Sequence, residues 1–152
     1  MTTPSLETAL AALPWARAID TRPGRIAIAA PGVDPIVMAE ALGGLGLRLG
    51  TITGIPLASG ETRLVYHFVA HDRIVDVATT TVGNRIASLT PRLKPASWAE
   101  REIHDFFAVD FVGHPDPVPL MRPEGFEPGM LRAPMCAARR AGAFDAATRE
   151  VA

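Results

Sequence analysis

Apolar positions along this chain change their spacing several times, and each change predicts an element. Thr3-Pro4 places proline at a first helical position, and Leu6, Ala9, Leu10 and Leu13 then recur on one helical face until Pro14 ends it. Ile26 and Ile28 point the same way in a short strand from Arg25 to Ala29. Asp34-Pro35 opens a second helix that Val33 and Met38 can staple across, and Gly43-Gly44 closes it. In residues 47–57 the alternation of Leu47, Leu49, Thr51, Thr53 and Ile55 predicts a strand with those side chains on one face. Leu64, Tyr66, Phe68 and Ala70 form the apolar face of the next strand, and residues 74–82 are rich in β-branched side chains. With the His71-Asp72-Arg73 turn between them, these two runs predict a hairpin. The order is helix, strand, helix, three strands, helix. It implies an α+β fold, a single domain with a mainly antiparallel sheet and helices packed on one side.

The most informative stretch runs from Ser97 to Phe107 and on through Gly113-His114-Pro115-Asp116-Pro117. Ser97 followed three residues later by Glu100 has the spacing of a capping box, and Glu100 and Glu102 suit the positive end of a helix. Arg101 and Asp105 are spaced to pair along the helix surface, while Ala99, Ile103, Phe106 and Phe107 supply a buried stripe. After Gly113, prolines at 115, 117, 119, 123, 128 and 134 remove backbone donors and hold the chain extended. Such a strap has two readings: a preorganised surface for another chain, or a rigid loop sealing the sheet edge. Residues 1–24 read as an N-terminal helix and connector, 25–132 as the domain, and the alanine-rich 133–152 as a flexible tail.

Composition narrows the function classes. Fifteen basic residues against sixteen acidic ones leave no field that would draw nucleic acid or anionic lipid. Cys136 is the only cysteine, so the chain has no internal disulfide and no cysteine-ligated cluster or Cys-rich zinc site of its own. The N-terminus lacks a basic flank and Glu7 interrupts its apolar stretch, unlike a signal peptide. No apolar run approaches the roughly 18 residues of a membrane span. A reducing cytoplasm is the expected setting.

Candidate chemistry is sparse. His67 and His71 lack a carboxylate or cysteine that would complete a zinc set, and read as hairpin-surface residues. His104 can pair with Glu100 on the helix surface, and His114 suits a structural hydrogen bond before proline. Gly43-Gly44-Leu45-Gly46 ends a helix instead of opening one after a strand, so it is no dinucleotide fingerprint. Ser59 and Ser88 lack a nucleophile-elbow setting, and Trp15 and Trp98 read as packing anchors. No catalytic and no metal-ligating residue is assigned.

Glu100-Arg101-Glu102, Asp105, Phe107, Val109, Phe111 and Gly113-His114-Pro115-Asp116 together resemble the signature of the C subunit of respiratory complex I, the NADH-quinone oxidoreductase. The related domain of membrane-bound, energy-converting nickel–iron hydrogenases is similar too. The resemblance covers about residues 25–132 and includes Thr90-Pro91 and Ala96-Ser97-Trp98. It implies a non-catalytic structural subunit of a complex I-like NADH:quinone oxidoreductase or such a hydrogenase, docking the large catalytic subunit in the peripheral arm. The implied partners are that large subunit and the cluster-bearing small subunit. Iron–sulfur clusters, a nickel–iron centre or quinone belong to them, and none is bound by this chain. The membrane is reached only through the complex, from the cytoplasmic side. The implied partner-binding residues are Glu100, Arg101, Glu102, Asp105, Gly113, His114, Pro115 and Asp116, with Ser97, Trp98 and Phe107 structural. The chain departs from the family pattern at Ala108, where glycine is usual, and at Val118-Pro119, where a basic pair is usual. Its ending, Leu131-Arg132-Ala133-Pro134, is reduced as well. These departures leave room for a diverged stand-alone binding or assembly protein.

Overall fold

The computed structural model describes residues 5–70 and 72–132. Thr3-Pro4, His71, Cys136 and the expected tail lie outside the described residues. Ser5 starts α1 (Leu6–Ala11), its Oγ accepting from the Thr8 N–H at 3.3 Å, and Leu10 is buried on the inner face. α2 (Pro35–Gly44) is capped by Asp34, which accepts from the Ile36 N–H at 2.8 Å, with Val33 and Met38 both buried beside the cap. Gly46, at φ +80°, turns the chain out of α2 and lets the Leu47 N–H reach the Leu42 carbonyl at 3.1 Å.

Five strands form the main sheet: β1 (Ala18–Arg22), β2 (Arg25–Ala29), β3 (Arg48–Pro56), β4 (Thr62–Val69) and β5 (Ile74–Thr80), in the order β1-β2-β5-β4-β3. Only β2 and β5 run parallel; the other pairs are antiparallel. Ile26, Ile28, Leu64, Tyr66, Phe68, Val75 and Val77 fill one face of the sheet and meet Met38, Leu42 and Ile103 from the helices. The opposite face carries no such cover among the described residues.

Two expectations are corrected here. The connector before residue 25 contains β1, whose five residues are all exposed and hold a single large apolar side chain, Ile19, so periodicity did not mark it. Hairpin geometry makes it: Pro23-Gly24 turns the chain, with Gly24 at φ +72°, and β1 pairs residue for residue with β2. In β3 the predicted face does not persist. Register slips between Leu49 and Thr51, a bulge at Gly50, so the inward parity passes from Leu47 and Leu49 to Ile52 and Gly54. Thr51, Thr53 and Ile55 therefore face out.

Sequence periodicity also missed a two-stranded parallel sheet of β6 (Arg85–Ala87) and β7 (Asp110–Val112). Three-residue strands are too short to show alternation. They are joined by α3 (Ala96–Phe107), which crosses over and packs on β3. Gly54 makes that approach possible: a Cβ there would stand 3.0 Å from the Phe107 ring and 3.2 Å from Ile103 Cγ2.

Candidate docking site on α3 and its strap

The buried residues of α3 are Ala96, Glu100, Ile103 and Asp105. The first three share the face turned to the domain, so a carboxylate stands in the expected apolar stripe, while Asp105 lies on the opposite face and is covered by the strap. Ala99, Phe106 and Phe107 are only half-buried. The expected capping box does not form. The helix begins two residues earlier, at Ala96, Pro95 provides no side-chain cap, and Ser97 Oγ instead meets His114 Nε2 at 3.2 Å. Glu100 turns inward, where Oε1 accepts from the Leu89 N–H at 2.6 Å and Oε2 from the hydroxyls of Ser88 at 2.5 Å and Thr90 at 2.7 Å. A wholly buried carboxylate persists only when its lone pairs are taken up in this way. Its charge, after burial itself, helps push the Tyr66 hydroxyl's pKa far upward.

Asp105 holds the strap. Its Oδ2 accepts the backbone N–H groups of Leu120 at 2.8 Å, Met121 at 2.7 Å and Arg122 at 3.1 Å. Its Oδ1 lies 3.5 Å from Arg122 Nε, an ion pair without a hydrogen bond. Burial works to raise the pKa of this carboxyl, but the three donors and the Arg122 charge together hold it below the usual carboxylate value. The Asp105 carbonyl accepts from Gly129 and Met130 at 2.8 and 3.2 Å, so one residue pins the strap at two places.

The surface pairing of Arg101 with Asp105 is overturned by the same geometry. Arg101 reaches across to the carbonyls of Val118 at 2.7 Å and Pro119 at 3.1 Å, in a stretch where proline cannot supply backbone donors. His104 is not paired with Glu100 either; its Nδ1 donates to the Val109 carbonyl at 2.9 Å. His114 Nδ1 accepts from the Asp116 N–H at 3.1 Å, which makes Nε2 the protonated nitrogen, directed at Ser97 and 3.8 Å from Glu100 Oε2. Its side chain is 4% exposed, in keeping with a structural role. A cavity of about 50 Å³, room for a water molecule, lies among Glu100, Arg101, His104, Asp110, Phe111, His114 and Pro117.

Several residues that sequence reasoning passed over complete the arrangement. Asn84, at φ +56°, donates through Nδ2 to the carbonyls of Phe107 at 3.0 Å and Ala108 at 2.7 Å, closing the end of α3. Ala108 adopts φ +54°, a left-handed position that explains why glycine is usual there. Glu61 holds Asn84 in turn, and the Asn84 N–H, then the Thr81 hydroxyl, lower the Glu61 pKa. Arg132 donates to the Gly60 carbonyl, tying the far end of the strap to the β3–β4 turn. The Gly83-Asn84 dipeptide was a legible turn signal; the partners of Glu61 and Arg132 were not.

Of the residues singled out from sequence, Glu100, Asp105 and the His114 side chain are buried, and Arg101 is half-buried against the strap. Glu102, Gly113, Pro115 and Asp116 are exposed. Trp98, expected as a packing anchor, is 71% exposed, whereas Trp15 is packed against the core. Val118 and Met121 on the strap are also exposed, at 48% and 57%. His67, expected on the surface, is a partly buried bridge between Thr53 Oγ1 at 2.9 Å and Asp76 Oδ1 at 2.6 Å. Among the described residues no group of three or more His, Cys, Asp or Glu could hold a metal ion, and no helix is long and apolar enough to cross a membrane.

What these elements define is a small α+β domain that displays an extended strap pinned to its own helix. Residues 37–138 match the family described as respiratory-chain NADH dehydrogenase, 30 Kd subunit, and the chain belongs to that family. Among similar proteins, the NADH-quinone oxidoreductase C/D subunit of Erwinia tasmaniensis is 34% identical over 103 residues, covering 64% of this chain and 17% of that protein. The C/D subunit of Pseudomonas fluorescens is 34% identical over 116 residues, covering 73% and 19%. A probable mitochondrial NADH-ubiquinone oxidoreductase 30.4 kDa subunit of Candida maltosa is 34% identical over 85 residues, covering 54% and 31%. The chain thus spans less than a third of the length of these relatives. A chain of the archaeal membrane-bound sulfane sulfur reductase shares the fold at TM-score 0.68 and 23% identity, covering 89% of this chain and 88% of that one. A trypsin-resistant fragment of Nqo5 does so at TM-score 0.55 and 22% identity, covering 65% and 88%.

Proposed function

We propose that this chain is a non-catalytic subunit of a complex I-like NADH:quinone oxidoreductase or a related membrane-bound complex of hydrogenase type. In this reading it docks the large catalytic subunit through the strap of residues 113–120 and the outer side of α3. The observation that carries it is the division of labour on α3. Arg101, Asp105 and His114 are committed to fixing the strap and Glu100 to the segment before α3, while Trp98, Glu102, Pro115, Asp116 and Val118 are left exposed. A surface fixed before binding loses little entropy on association, so an exposed tryptophan beside it can act as an anchor. The relatives named as C/D subunits support the reading, because the matching region occupies less than a fifth of each and sits beside a much larger remainder. Clusters, a nickel–iron centre or quinone would lie in partner subunits, and the chain would reach the inner face of the membrane only through them.

Charge reversal Glu102→Lys and truncation Trp98→Ala test this. Both side chains are exposed, so the melts of the isolated chain should stay within about 0.5 kcal/mol of wild type. Recovery of the large subunit on affinity purification should fall at least tenfold. Undiminished recovery with both variants would mean that the strap seals only its own domain, as in a diverged stand-alone protein.

A further inference from the structure

The sheet face turned away from α3 breaks the pattern of a solvated surface. An antiparallel sheet with one face in water normally alternates apolar inward with polar outward. Here the outward row that runs in register across five strands is Ala18, Ala29, Ala78, Val65 and Thr53. Ala27 and Ile55 extend it, and Ala18, Ala27, Ala29 and Ile55 are exposed. All of these but Thr53 line a concavity of about 600 Å³. Four strand spacings give the row a length of about 19 Å, which about 13 residues of α-helix would cover.

The charges along this trough select the occupant. Asp20 is paired with Arg22 at 2.9 Å, and Asp76 is shared between Arg25 and His67. Both acids are therefore already neutralised. Arg63 projects onto the same face, in register with Ile55, and has no ion-pair partner among the described residues. Among the described residues no carboxylate stands opposite it, so its charge is open to an acidic partner, and the small floor lets a helix backbone come close.

We propose that this face is a second docking surface, which takes an amphipathic helix of a partner protein with small apolar residues on its inner side and acidic residues on its flank. One unpaired arginine is too little charge to hold nucleic acid or a lipid surface. Because the trough and the strap lie on opposite sides of the sheet, a chain docked at both would bridge two neighbouring segments.

Photo-cross-linking in cells that make the intact complex tests the proposal, with p-benzoylphenylalanine placed at Ile55 on the trough rim and, separately, at Val118 on the strap. The expected adduct from position 55 is an acid-rich amphipathic helical segment of another protein, identified by peptide mass spectrometry. Its yield should fall at least fivefold with Arg63→Glu or with Ala29→Arg, which fills the floor, and persist with Arg63→Lys. Thermal melts of these exposed-face variants confirm that each is folded. The position-118 adduct reports the strap independently, so losing one adduct alone tells the two surfaces apart. No adduct from position 55 would overturn the proposal. So would an adduct with a second copy of this chain, with lipid, with nucleic acid or with a segment lacking acids, or a yield indifferent to both substitutions.

Discussion

Replacing Asp105 by asparagine removes one charge from the point where α3 grips the strap. In the wild type, Oδ2 accepts three backbone N–H groups and no water competes for it, since the side chain is wholly buried. A hydrogen bond to an ionised acceptor contributes roughly 1.5–3 kcal/mol, against about 1 kcal/mol for a neutral one. Asparagine keeps one acceptor oxygen but weakens all three bonds, and its NH2 replaces the oxygen that now lies 3.5 Å from Arg122 Nε, leaving two donors face to face. The bonds share one acceptor and do not add fully, so the net cost of opening the strap should drop by about 2–4 kcal/mol. Amide exchange at Leu120, Met121 and Arg122 should then accelerate about 30- to 700-fold, at 1.4 kcal/mol per decade. Hydrogen-exchange NMR resolves these amides from the core strands β4 and β5, which should change far less. Acid supplies a second arm. The Asp105 pKa is depressed in the fold, so its contribution is complete above the unfolded value of about 3.9 and is lost as pH falls through the lower folded value. After correction for intrinsic rates, the wild-type strap amides should lose protection below about pH 4, and the asparagine variant should show no such acid leg. Equal protection at residues 120–122 in the two proteins would refute the reasoning.

Two further substitutions probe the packing of α3. Gly54→Ala places a Cβ 3.0 Å from the Phe107 ring and should destabilise the fold by about 1–3 kcal/mol in denaturant melts; a neutral result would mean α3 shifts freely on β3. Ala108→Gly relieves a left-handed alanine, a strain of about 1–2 kcal/mol that glycine's extra chain entropy partly offsets, so a gain of about 0.5–1 kcal/mol is expected. Loss of stability there would show that the Ala108 methyl, which stands 3.2 Å from where a Cβ on Gly129 would lie, matters more than the backbone.

Local sequence determined the elements that carry their own signal. The Asp34-Pro35 helix start, the Leu64/Tyr66/Phe68 alternation of β4 and the β-branched run of β5 each record a pattern that burial on one side or local capping imposes. The stretch from Glu100 to Asp116 was likewise legible as the family's signature, because it needs only identity and spacing. Direction was not legible. A glutamate three residues after a serine has the same spacing whether it caps a helix or turns inward, and only the placement of Ser88, Leu89 and Thr90 against α3 made Glu100 a buried acceptor. The four-residue spacing pairs Asp105 with Arg101 because both lie on one helix. Tertiary structure brought the strap over α3 and offered each a better partner, backbone donors for the acid and proline-flanked carbonyls for the base. The parity switch at Gly50 and the uncovered alanine row belong to the same class: each depends on which strand lies beside which, and pairing across the sheet leaves no mark in the local pattern of a single strand.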